Sequence, residues 1–138
     1  MTILAPASHP CGSCPYRRDV PSGVWHESEY DKLPAYDGST GEQMDAGAMG
    51  AFMCHQQDDR LCAGWVGCHD MYESLAMRFA TRLMSQEDLD AVFAYECPIP
   101  LFASGAEAAA HGKAEIDVPG VKARRTIDKL TRKRRAQA

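Results

Sequence analysis

Cys11-Gly12-Ser13-Cys14-Pro15, answered well downstream by Cys54-His55, Cys62 and Cys68-His69, is the stretch from which the fold is read. Five of the six cysteines fall in these two clusters. Two residues between cysteines let both sulfurs turn toward one point, so a CxxC loop offers half of the four ligands a structural zinc takes. The second cluster has to provide the other half. Cys11, Cys14, Cys54 and Cys62 are the expected ligands, with Cys68 in reserve and His55 or His69 as substitutes for a thiolate. Seven residues separate Cys54 from Cys62, more than a standard zinc finger uses. A four-iron, four-sulfur cluster is the alternative occupant, because it too takes four thiolates. Zinc is preferred since it asks less of its surroundings. Scattered buried cysteines that hold nothing are the plainer alternative.

The 138-residue length fits one domain and is too short for two ordinary ones. A chain of this size buries a core unaided, so smallness alone does not demand a metal. No apolar run approaches the roughly 18 residues of a membrane span. Met1-Thr2-Ile3-Leu4-Ala5-Pro6 lacks a basic leader region, so the expected location is cytoplasmic and no membrane contact is expected. In a reducing compartment, cysteines serve as metal ligands or free thiols rather than disulfides.

The net charge of −4 hides a polarity. Lys122, Arg124, Arg125, Lys129, Arg132, Lys133, Arg134 and Arg135 face a single acid in that segment, Asp128. The remaining residues are strongly acidic. This pattern marks either a tail that seeks a polyanion or one held by its own acidic body. No aromatic residue interleaves with the basic ones, so stacking on single strands is not supported.

The expected fold is mostly α, with an irregular, metal-stapled N-terminal half packed on a small helical C-terminal half. Within one domain spanning 1–138, residues 11–70 form the cysteine-rich part, 70–121 the helical part and 122–138 a basic helix or tail. Residues 1–10 read as a loose arm and the glycine-rich stretch 38–50 as flexible. A turn or two of helix is expected at Ser28–Leu33, stopped by Pro34. Asp70 and Glu73 suggest a capping box for a helix whose stripe is Tyr72, Leu75, Ala76, Phe79 and Leu83. Ser85 caps the next, with Leu89, Val92 and Phe93 on its apolar face and Pro98 as its stop. Residues 97–103 read as extended. Ser104 opens an Ala-rich helix ending at His111-Gly112, and a last helix begins near Pro119 with Ala123, Ile127 and Leu130 on one face.

Cys14-Pro15-Tyr16-Arg17, Val20-Pro21-Ser22-Gly23-Val24-Trp25-His26, Phe52-Met53-Cys54-His55 and Cys62-Ala63-Gly64-Trp65 together resemble a cysteine-rich family of unknown function from actinobacteria and their phages. The resemblance covers roughly residues 11–70. It implies metal binding through Cys11, Cys14, Cys54 and Cys62, and no activity.

Other residues carry less. Arg17 and Arg18 either bind an anion or pair with neighbouring acids such as Asp19, Glu27 and Asp31, and pairing is favoured. His69 beside Asp70 suggests a dyad only superficially, because adjacent residues point different ways. No P-loop, dinucleotide fingerprint or nucleophile elbow is present. Cys11-Gly-Ser-Cys14 lacks the preceding strand a thioredoxin-like motif wants. The sequence thus favours a small, non-enzymatic zinc-binding interaction or regulatory protein, contacting nucleic acid or a protein through its basic tail. An iron–sulfur redox or gas sensor and a thiol-dependent enzyme are the alternatives.

Overall fold

The computed structural model describes residues 1–137. The chain is mostly helical, and its β pairing among the described residues consists of isolated bridges: Leu4 with Arg60, Arg17 with Leu101, and Met53 with Leu61. Helix α1 (Glu27–Asp31) is capped by His26, whose ring accepts from the Ser28 amide at 3.1 Å. Pro34 does not end the helical segment as expected. It sits in the first turn of a 3-10 helix, Leu33–Tyr36, where its missing N–H costs nothing.

The glycine-rich stretch 38–50 is not flexible throughout. Ser39 accepts from the Glu42 amide while the Glu42 carboxylate accepts from the Ser39 amide, and this reciprocal cap starts α2 (Thr40–Asp45). Helix α3 (Ala63–Cys68) begins directly after Cys62. Asp70 accepts from the Tyr72 amide in a local turn rather than capping a helix. The cap is Ser74, and α4 (Leu75–Ala80) continues as a 3-10 turn, Thr81–Leu83. Its buried set is Leu75, Ala76, Met77 and Ala80, while Tyr72, Phe79 and Leu83 stand exposed. A helix this short shows the core too few turns for a sustained stripe to matter.

Ser85 caps α5 (Gln86–Phe93) as expected, with Val92 buried and Leu89 packed against the core. Ser104 caps α6 (Gly105–Lys113). Gly112 does not end it: a Cβ there would lie 2.1 Å from the Tyr30 ring, so this glycine is where α6 closes on α1. Asp37 reinforces the same junction by accepting from the Gly105 and Ala106 amides at 2.7 and 2.8 Å. Helix α7 (Val121–Gln137) buries Ala123 and leans Ile127 and Leu130 on the core.

The N-terminal arm is not loose either. Ile3 and Ala5 are buried. The Ile3 amide donates to the Leu83 carbonyl at 2.9 Å, and the Ala5 amide to Asp88 Oδ1 at 3.0 Å. Residues 14–25 are tied to the far half in the same way. Phe102 N donates to Tyr16 O, and Gly23 N to Gly112 O. One apolar core therefore runs from Ile3 to Ala123 through both halves of the chain.

Candidate metal centre

Two short pieces of backbone position the four cysteines. In the first, the Cys14 amide donates to the Cys11 carbonyl at 3.0 Å, which folds the CxxC into a turn. Arg17 holds that turn from outside. Its Nη1 donates to the Pro10 and Cys11 carbonyls, while its Nε and Nη2 grip Asp19 at 2.8 and 2.7 Å. In the second, Cys54 N donates to Arg60 O and Cys62 N to Phe52 O, both at 2.9 Å, around the Met53–Leu61 bridge. This narrow hairpin brings Cys54 and Cys62 back together, which explains the long spacing. Asp59 turns it with φ of 64°.

The Cys14 and Cys62 sulfurs lie 3.7 Å apart, and Cys11 stands near enough to Cys14 and Cys54 for each to shift the other's ionisation. Backbone amides point at them. Ser13 serves Cys11, Tyr16 serves Cys14, and Gln56 serves Cys54 at 3.5 Å, in each case two residues beyond the cysteine. Such donors favour the thiolate form. Even so, the thiols themselves resist ionisation. Cys11 is raised by its bond with Cys14 and by burial, against the lowering contact with Cys54. For Cys14, the bond with Cys11 lowers the pKa, but Cys62 and burial together push it well up. Cys54 is raised by Cys11 and by burial. Each thiolate would face another negative sulfur, an arrangement that a divalent cation reverses.

Among the described residues no three His, Cys, Asp or Glu side chains stand together as a ready-made ion site. Cys11, Cys54 and Cys62 do border one small cavity of about 10 Å³, room for a single small ion or water. Gly64 lets the α3 backbone pass close to Cys14. A Cβ there would meet Cys14 Sγ at 2.4 Å and Tyr16 Cβ at 2.8 Å. The sequence anticipated the pairing of Arg17 with Asp19 but not its bonds to the Pro10 and Cys11 carbonyls, and it carried Ser13, Gln56 and Gly64 within motifs without revealing their roles. The signal for Gly64 was its place directly behind Cys62-Ala63.

The other candidates are engaged elsewhere. His55 Nε2 lies 2.9 Å from Glu29, with its ring against Trp25. His69 contacts Asp37 and the Trp65 carbonyl, each at 2.9 Å, and not Asp70. Cys68 donates to the Phe102 carbonyl, and its thiol is pushed up to about 12 by burial and by the Asp37 and Glu107 carboxylates. Cys97 donates to the Ile99 carbonyl. Arg18 pairs with Glu107 rather than with a nearby acid.

Fold and cysteine arrangement together define a small, mostly helical, cysteine-rich domain. The chain belongs to a family of unknown function, DUF6283, which it matches over residues 6–132. That span takes in all six cysteines and most of α7, far beyond the motif region. No curated protein and no solved structure matches the chain.

Proposed function

We propose that Cys11, Cys14, Cys54 and Cys62 hold one structural zinc, and that the domain is a non-enzymatic interaction module offering α7 to an anionic partner. The observation that carries the metal reading is the 3.7 Å approach of the Cys14 and Cys62 sulfurs from two distant arms, with Cys11 and Cys54 next in line beside them and three of the four served by backbone amides. Zinc binds sulfur at about 2.3 Å in a tetrahedron, which places neighbouring sulfurs about 3.8 Å apart. The Cys14–Cys62 separation of 3.7 Å fits that spacing. Raised thiol pKa values speak against a thiolate nucleophile, which an enzyme reading requires.

The partner reading rests on α7. Lys122, Arg125, Lys129 and Arg132 fall at i, i+3, i+7 and i+10, opposite Ala123, Ile127 and Leu130. Among the described residues none of the eight basic side chains from Lys122 to Arg135 forms an ion pair. The acidic body therefore leaves their charge available to nucleic-acid phosphate, the favoured partner.

Metal analysis with an absorption spectrum, on protein purified without oxygen or chelator, tests the first part. One zinc per chain and no visible absorbance is the expected result. Iron with sulfide and a brown colour would replace zinc by a cluster, and neither metal with six free thiols would end the metal reading. Cys54→Ser is expected to lose the zinc and lower the melting temperature.

A further inference from the structure

Helix α7 reaches the Cys54 arm of the cysteine site directly and the CxxC turn through it. Ser13 lies inside the CxxC turn. Its carbonyl accepts from Trp25 Nε1 at 2.8 Å and its hydroxyl accepts from Gln56 Nε2 at 2.7 Å. Gln56, two residues past Cys54, accepts in turn from Lys133 Nζ at 2.7 Å. A second path runs beside the first. His55 lies against the Trp25 ring, with centroids 4.6 Å apart, and the Arg134 guanidinium sits over Trp25 at 5.6 Å. Consecutive residues of α7 thus touch Gln56, two residues past Cys54, and Trp25, which packs on His55 beside Cys54. Between these contacts a cavity of about 180 Å³ separates Gly12, Ser13 and Gln56 from Thr126 and Lys129.

This helix is poorly able to hold itself. Arg125, Lys129 and Lys133 repeat at i, i+4, where like charges repel, and most of a helix's stability in a protein comes from its packing. Ala123, Ile127 and Leu130 anchor its first turns in the core. Among residues 131–136 no side chain is buried, and Lys133 and Arg134 provide contacts there.

We propose that occupancy of the cysteine site governs whether the last turns of α7 are docked. The inference rests on the metal reading above. With zinc bound, the loops 11–14 and 54–56 are fixed, and Ser13 and Gln56 stand where Trp25 and Lys133 meet them. With zinc removed, both loops relax, the seat is lost, and residues 131–136 leave the body while the part from Ala123 to Leu130 stays. The cluster of Arg132, Lys133, Arg134 and Arg135 is then presented as a mobile segment instead of an ordered array.

The experiment compares three samples of the full chain: zinc-loaded, chelator-stripped, and zinc-loaded Gln56→Ala. Acetylation of Lys133 is measured against Lys122 in the same molecule, together with amide exchange over 121–136. Removing zinc is expected to raise the Lys133 to Lys122 ratio about tenfold, the scale set by one charge-assisted hydrogen bond. Exchange should quicken over 131–136 more than over 121–126. Gln56→Ala should do the same while keeping its zinc. An unchanged ratio in zinc-loaded Gln56→Ala, or stripped protein whose 11–62 loops loosen while 131–136 do not, overturns the inference alone. A chain that takes up no zinc overturns it together with the metal reading.

Discussion

Gly64 shows how narrowly one residue conditions the site. The backbone of α3 passes so near Cys14 that a single methyl group would overlap its sulfur. Gly64→Ala is expected to destabilise the protein by about 1–3 kcal/mol, the usual range for overpacking. It should also weaken metal retention, because the atom that must move is a proposed ligand. Denaturant unfolding and competition with a chelator measure the two effects. Gly12→Ala serves as the control, since a Cβ there meets nothing within 4 Å. Arg17 differs in kind. Its grip on Asp19 lies largely at the surface and counts for little, whereas its bonds to the Pro10 and Cys11 carbonyls shape the turn that carries two cysteines. The bond from Arg17 also holds Asp19 below the usual carboxylate range. Any stability it confers is thus present near neutrality and is lost as pH falls through that depressed value.

The junction of α1 with α6 is the element pair most sensitive to substitution. Gly112→Ala would drive a methyl group into the Tyr30 ring, which is itself buried and bonded to the Trp25 amide. Its expected cost is at least that of Gly64→Ala, and Lys113→Ala, which removes only an exposed pair with Asp31, should cost well under about 1 kcal/mol. Thermal melts of the two variants side by side check this. Elements opened by a serine followed by a long apolar or alanine face were legible in the sequence, as with Ser85 and Ser104. Elements opened by a cap alone were not. Ser39 and Glu42 carry the complete signature of a capping box, but four surrounding glycines outweighed it. Asp70 and Glu73 displayed the same signature where the chain makes only a turn. Ser74, one residue nearer the apolar face, bonds the Met77 amide instead. The expected ligand set was read from spacing. The hairpin between Cys54 and Cys62 was not legible, because a pairing of so few residues leaves no periodic trace.

At the scale of the whole molecule, the cysteine-rich and helical parts do not divide. Tyr16, Val20, Val24 and Trp25 share a core with Phe102, Ala108 and Ala109. Ser22 donates to the Gly112 carbonyl and accepts from the Glu115 amide. A fragment of residues 1–70 supplied with zinc is therefore expected to bind the ion without a cooperative unfolding transition. The full chain should melt in one step, at a lower temperature once stripped of metal. Calorimetry of both distinguishes this from two independently folding halves, which would give the fragment a transition of its own.

The contact between Cys14 and Cys62 spans 48 positions of chain. A ribosome adding about 5–20 residues per second delivers the second sulfur roughly 2–10 s after the first. Through that interval the nascent CxxC loop has emerged with two thiols and no hairpin to meet them. The segments that bury its flanks, from Leu83 to Gly112, come later still. Oxidation of this pair is therefore a hazard of synthesis more than of the finished domain, and a cell making the protein under oxidant stress would meet it at the ribosome.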